Sequence, residues 1–272
     1  PYPAETEDVP AQVHLSDAPL LQAPPININC GAALLAEMPS GQILFEMNAD
    51  VPRPVASVTK VMTILLTLEA IESGRIHPDQ KCTISKNAAG MGGSQVLLDV
   101  NERQSVDTLL KCMIVGSAND AAVALAEAMY GSEALCVEAM NRRAEALGMT
   151  GTHFENCTGL PATGQHTTAR DVAVMSRQVF AHPHYFDHSA LWMEDIDHGD
   201  GRITQLVNTN KLLRLCDGCD GGKTGSTKEA GYCVSATASR GGMRLIAVVL
   251  GAESGAERFD IAGKMLDHGF AN

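Results

Sequence analysis

Hydrophobic and polar positions divide the chain into three textures. Across 28–45 two apolar segments flank Pro39-Ser40-Gly41, which predicts a strand hairpin forming one edge of a sheet. Pro52-Arg53-Pro54-Val55-Ala56 cannot continue a helix, whereas Val61, Met62, Ile64, Leu65 and Leu68 recur at helical spacing, so a helix is predicted to start at Ser57. Helical periods then dominate, over 106–115, 121–130, 133–147 with a stop at Gly148, and 169–180. Beyond Gly201 short segments separated by glycines, including 232–238 and 244–250 around Arg240-Gly241-Gly242, predict antiparallel strands, and 256–266 predicts a last helix. No internal repeat is evident. This order predicts an α+β catalytic body over 26–272, with a sheet lobe from 26–56 and 201–272 and a helical lobe from 57–200. Residues 1–25, rich in Pro, Ala and acids and without a sustained period, predict an exposed lead-in.

Composition narrows the picture. With 272 residues and 45% hydrophobic positions, the chain can bury the core of one large domain or of two lobes sharing it. The longest apolar run, 61–68, is interrupted by Thr63 and Thr67 and falls short of the ~20 residues a membrane span requires. A net charge of −12 disfavours a nucleic-acid partner, which would need clustered Lys and Arg. A carboxylate-bearing substrate would need local positive charge, which Lys60 and Lys223 can supply. The chain begins at Pro1, which leaves export open.

The eight cysteines lie mostly among apolar residues and read as unpaired core positions. Cys216-Asp217-Gly218-Cys219 is the exception in spacing; a local disulfide or a plain turn is favoured over a zinc site, because no second ligand pair follows. His182, His184, His188 and His198 cluster with Asp187, Asp195 and Asp197, but their spacings match no standard ligand pattern, and histidines on a polar loop are usually solvated. No metal and no cofactor are expected.

Three short motifs carry the chemistry: Ser57-Val58-Thr59-Lys60, Ser117-Ala118-Asn119 and Lys223-Thr224-Gly225. Each alone recurs by chance, but this order and separation seldom coincide. In the first, positions i and i+3 share a helix face, so the Lys60 amine can reach the Ser57 hydroxyl. A lysine takes a serine proton only if burial or a neighbouring cation lowers its pKa, and Lys223 is the evident second cation. A helix start also offers backbone N–H groups to a developing oxyanion, although a serine there can equally be an ordinary N-cap. Ser117 can relay a proton to a leaving amine, and Asn119 can hold a peptide carbonyl or Lys60; a plain interhelix loop with capping residues is the alternative. On an extended segment Lys223 and Gly225 face one way. Lys223 and Thr224 can then meet a substrate carboxylate, Gly225 lets a peptide lie close, and the Ser226 N–H joins that of Ser57 as an oxyanion donor. A turn glycine beside a surface lysine is the alternative.

The sequence resembles the low-molecular-weight penicillin-binding proteins, the serine-type D-alanyl-D-alanine carboxypeptidases of bacterial walls. The resemblance runs through 56–60, 117–122, Leu147-Gly148-Met149, Thr158-Gly159-Leu160, 220–225, Ala230-Gly231-Tyr232 and 243–251, covering roughly 28–270. It implies a five-stranded antiparallel sheet beside a helical lobe, stem peptides ending in D-Ala-D-Ala as substrate, acylation of Ser57, and β-lactams as covalent inhibitors. It also implies an exported protein of the cell envelope and a role for Arg258 in ordering the carboxylate side of the cleft. Three positions depart from the family pattern. Ala118 stands where glycine is usual, Cys157 stands where proline is common, and many relatives continue past the equivalent of Asn272 into a β-rich domain and a membrane anchor. Membrane association would then depend on segments outside this sequence.

A D,D-endopeptidase would use the same residues. A β-lactamase would add a base for fast deacylation, often in a Glu-x-x-Leu-Asn segment, and none stands out over 150–200. An inert wall-binding or β-lactam-sensing homologue would be expected to carry a damaged motif, whereas Ser57, Lys60, Ser117, Asn119 and Lys223 are all intact.

Overall fold

The computed structural model describes residues 15–16, 19–21 and 27–272, so most of the expected lead-in lies outside the described residues. Two strands come first, β1 (Ala32–Glu37) and β2 (Ile43–Met47), and a 3-10 turn (Ala56–Thr59) then leads into α1 (Lys60–Glu72). A short strand β3 (Lys81–Thr83), the single turn α2 (Lys86–Ala89) and strand β4 (Arg103–Ser105) precede α3 (Val106–Val115), α4 (Asn119–Tyr130) and α5 (Glu133–Ala146). Helices α6 (Ala169–Val179) and α7 (Pro183–Ser189) lead to a hairpin of β5 (Met193–Asp197) and β6 (Ile203–Val207). A turn of helix, α8 (Leu212–Leu215), introduces the long strands β7 (Cys219–Thr227), β8 (Gly231–Arg240) and β9 (Met243–Ala252), and α9 (Gly255–Ala271) ends the chain.

The strands β2-β1-β9-β8-β7 form one antiparallel sheet, with β7 at an edge. Side chains alternate across its two faces, and both faces are covered. Leu34, Ile246, Val248 and Leu250 join a core with the helical lobe, while Leu35, Val234, Leu245 and Val249 join a second core with Phe259, Ile261, Met265 and Leu266 of α9. Burial on both faces explains why β9 reads as a continuous apolar run rather than an alternating one. Helix α1 is buried almost all round, from Lys60 to Leu68 and again at Ala70, as befits the central helix of its lobe. Among the described residues no helix is long and apolar enough to cross a membrane.

Local chemistry sets several ends. Ser85, Ser105, Ser132, Thr168 and Ser254 each cap a helix, their hydroxyls accepting from backbone N–H groups of the first turn. Ser57 does not. The predicted helix start is instead a 3-10 turn, and α1 begins only at Lys60, with no side-chain cap at Thr59. Tight packing against β7 accounts for the difference. The Cβ that Gly225 lacks would lie 2.6 Å from Val55 O and 2.7 Å from Ser57 N, so the strand backbone occupies the space beside this turn.

Candidate active site

The site forms where the 3-10 turn, the α3–α4 connection and the edge strand β7 meet. The Lys60 Nζ donates to Ser57 Oγ at 2.9 Å and to Thr158 O at 2.6 Å. Ser57 itself is half-buried, so the hydroxyl faces the opening while the amine is sealed from water. The Lys223 Nζ donates to Ser117 Oγ at 2.7 Å and to Thr224 O at 2.8 Å. Lys223 therefore turns inward toward Ser117, not outward to a substrate carboxylate as its place on the strand suggests. Ser117 holds φ +60, a left-handed backbone unusual for serine, which packs its side chain into the cleft instead of into a helix.

Two lysines buried this close cannot both carry charge cheaply. Burial pulls the Lys60 ammonium down to about 7, against the opposing pull of neighbouring anionic groups that include Asp120. Lys223 is lowered well below the usual lysine range, first by burial and then by the charges of Lys60 and Arg258. Asp120 compensates from behind. Its buried carboxylate accepts from the N–H groups of Val96, Leu98 and Ala121, which ties the 92–98 loop to the start of α4.

Asn119 donates from Nδ2 to Gly92 O at 2.7 Å, while its Oδ1 is buried without a hydrogen-bond partner. An acceptor left open in this way is ready for a donor that arrives with substrate or with a protonated Lys60. Thr224 Oγ1 donates to Thr209 Oγ1 at 2.7 Å, and Ser226 is exposed. Arg258 lies behind the strand, donating from Nη1 to Gly225 O at 3.0 Å and to Cys233 O at 3.2 Å. Gly225 also serves a purpose its position on the strand does not suggest: it lets β7 close onto the turn that carries Ser57.

The departures from the family pattern are accommodated. Ala118 sits at φ −61 and ψ 122, ordinary extended backbone, so its methyl group costs no backbone strain. Cys157 donates its N–H to Glu133 Oε1, a bond proline could not make, and burial pushes its thiol well up, which leaves it unreactive. All eight cysteines are free, so the 216–219 pair forms no disulfide. The histidines at 182–198 do not form one polar-loop cluster. His182 pairs with Glu72, buried His198 pairs with Glu102, and His184 and His188 lie on α7.

Sequence reasoning passed over Thr209, the Thr158 carbonyl and Asp120. Asp120 and Thr158 both lie in stretches that carry the family resemblance, but neither was given a role. Thr209, fifteen residues from Thr224, belongs to no motif, and a backbone carbonyl leaves no trace in residue identity.

The D-alanyl-D-alanine carboxypeptidase family model matches residues 19–254. The chain belongs to this family. It is 40% identical over 240 residues, 88% of its length, to D-alanyl-D-alanine carboxypeptidase DacF of Bacillus subtilis, and spans 62% of that relative. Among solved structures, penicillin-binding protein 6B of Escherichia coli shares 37% identity with a TM-score of 0.86, covering 95% of this chain and 83% of that one. Penicillin-binding protein D2 of Listeria monocytogenes, crystallised in an ampicillin-bound form, shares 33% identity with a TM-score of 0.81, covering 91% of this chain and all of that one. The five-stranded antiparallel sheet with its helical lobe is thus the family's fold.

Proposed function

We propose that this chain is a serine D,D-carboxypeptidase that removes the terminal D-alanine from peptidoglycan stem peptides. The observation that carries the reading is the 2.9 Å bond from a buried amine with a pKa of about 7 to the hydroxyl of a half-exposed serine. Neutral Lys60 takes the Ser57 proton as Oγ attacks the carbonyl between the two D-alanines. The N–H groups of Ser57 and Ser226 receive the oxyanion. The C–N bond then breaks, and the departing amine takes a proton that Lys60 returns through Ser117. Water, deprotonated by Lys60, hydrolyses the Ser57 ester and frees the shortened peptide.

The substrate would lie along the free edge of β7 as an added strand. Asn119 Oδ1 and Nδ2 would hold its backbone, and Thr224 with Thr209 and Ser226 would receive its C-terminal carboxylate, while Arg258 fixes the strand from behind. β-Lactams would acylate Ser57 in the same way, as the ampicillin-bound Listeria relative suggests. The setting is the bacterial cell envelope, and the layout is one catalytic body over 26–272, with the sheet and helical lobes meeting at the site. The test is release of D-alanine from a stem pentapeptide compared with cleavage of a cross-linked dimer. D-Alanine release that disappears in S57A supports the reading; dimer cleavage without D-alanine release makes the chain an endopeptidase.

A further inference from the structure

A second cluster of ionisable groups lies outside this site, where α3 meets α7. Asp107, in the first turn of α3, faces two histidines one turn apart on α7. Its Oδ1 is 2.7 Å from His188 Nε2 and 3.2 Å from His184 Nε2. The three ligand atoms lie within 4.8 Å of one another. On the far side of the His184 ring, Nδ1 is 3.0 Å from Asp187 Oδ2. A carboxylate there fixes the proton on Nδ1 and leaves a lone pair on Nε2. That nitrogen is buried and has no hydrogen-bond partner, although a carboxylate oxygen of Asp107 lies 3.2 Å away. With the proton on Nδ1 two acceptors stand 3.2 Å apart, a contact that either a proton on Nε2 or a metal cation between the two atoms satisfies.

We propose that Asp107, His184 and His188 bind a divalent transition-metal ion of the zinc class. Two imidazoles and one carboxylate are a common donor set for such ions, and the i, i+4 spacing on one helix presents both rings to the same side. Bond lengths of about 2.0–2.1 Å around a tetrahedral centre set neighbouring ligand atoms about 3.3 Å apart. The His184 contact is already near this separation, and the His188 contact needs to lengthen by only about half an ångström. Asp187 supplies the outer carboxylate that orients a ligating histidine. The side chains of His184 and Asp107 are each about one third exposed, which gives an ion a way in and leaves its remaining position to water.

The ion would fasten two elements that lead into the proposed catalytic cleft. Helix α3 runs on to Ser117. Helix α7 holds β7 just before Lys223: Tyr185 Oη accepts from Gly222 N at 2.9 Å, and Ser189 Oγ donates to Asp220 O at 2.6 Å. The sequence put His184 and His188 beside Asp187, Asp195 and Asp197, in spacings that match no standard ligand pattern, and gave no sign of Asp107, which comes from a helix 81 residues upstream of His188.

The test is calorimetric titration of the full chain, stripped with EDTA and dialysed, with zinc chloride, together with a thermal melt and a cobalt(II) absorption spectrum. The proposal predicts one zinc per chain and a rise in Tm of about 5 °C at hundredfold excess over Kd. It also predicts cobalt bands without intense thiolate charge transfer. H184Q and D107N should each weaken binding at least tenfold with unchanged circular dichroism, and D187N should weaken it about tenfold. His184 is partly exposed, so H184Q remains a fair test even if H188Q does not fold. Absence of stoichiometric binding, undiminished binding in folded H184Q and D107N, or a thiolate-type cobalt spectrum would each overturn the proposal.

Discussion

Ser57 and Lys60 illustrate how little separates a structural residue from a reactive one. A serine at a helix start is ordinarily a cap, but here its hydroxyl accepts from a buried amine instead of from the helix N–H groups. Because the base is the neutral amine and burial lowers its pKa to about 7, acylation should increase with pH up to about 7 and then level off. The sign is fixed by the mechanism: below that pH the ammonium has no lone pair to accept the serine proton. A pH profile of kcat/KM for penicillin acylation checks this, and a rate that falls with rising pH across neutrality would exclude Lys60 as the base. Thr209→Val removes the partner of Thr224 and should raise KM for a carboxylate-bearing peptide roughly tenfold with little change in Tm. Steady-state kinetics beside a thermal melt separates that outcome from a general loss of fold. The motif residues could be read from the sequence because their chemistry resides in side chains at fixed spacing. Thr209 could not, because its role arises only when β7 is laid beside the segment before α8.

At the scale of elements, the site depends on three backbones meeting. The loop at 158–160 closes over Lys60, and Gly159 makes that possible. It holds φ +84, and a Cβ there would fall 1.9 Å from Ala56 O, a backbone atom that cannot give way. Gly159→Ala should lower Tm by several degrees and displace the Thr158 carbonyl from Lys60, so that acylation falls as well. Gly225→Ala meets Val55 O and Ser57 N and should separate β7 from the turn, with the same two losses. Normal acylation in a folded G225A protein would contradict the close approach described here. Long periodic helices such as α3 and α5 were legible almost to the residue, and so were the glycine-bounded strands β8 and β9. The hairpin β5–β6 and the helix α7 were not: one is short and largely exposed, and the other is a seven-residue helix whose histidines suggested a loop.

The whole molecule places its chemistry and its larger core on the helical side of the sheet, and a smaller, separate core on the other. Helix α9 buries Phe259, Ile261, Met265 and Leu266 against the face of the sheet opposite the helical lobe. Leu266→Ala should therefore cost about 2–5 kcal/mol of stability while leaving the acylation rate per folded molecule unchanged. A melt paired with an active-site titration measures both. The α+β class followed from the order of strand hairpin, helices, strands and helix. The coverage of both sheet faces showed in the sequence only as the continuous apolar run 244–250, which periodicity alone does not tell from a buried helix.

The central claim is that Ser57 is an acyl-accepting nucleophile activated by Lys60. Intact-protein mass spectrometry after brief incubation with benzylpenicillin, with peptide mapping and a later time point, tests it most directly. The account predicts one penicilloyl group per chain, on Ser57, persisting at the later time and absent from S57A. An adduct on another residue, labelling that survives S57A, or intact drug with no adduct would contradict it.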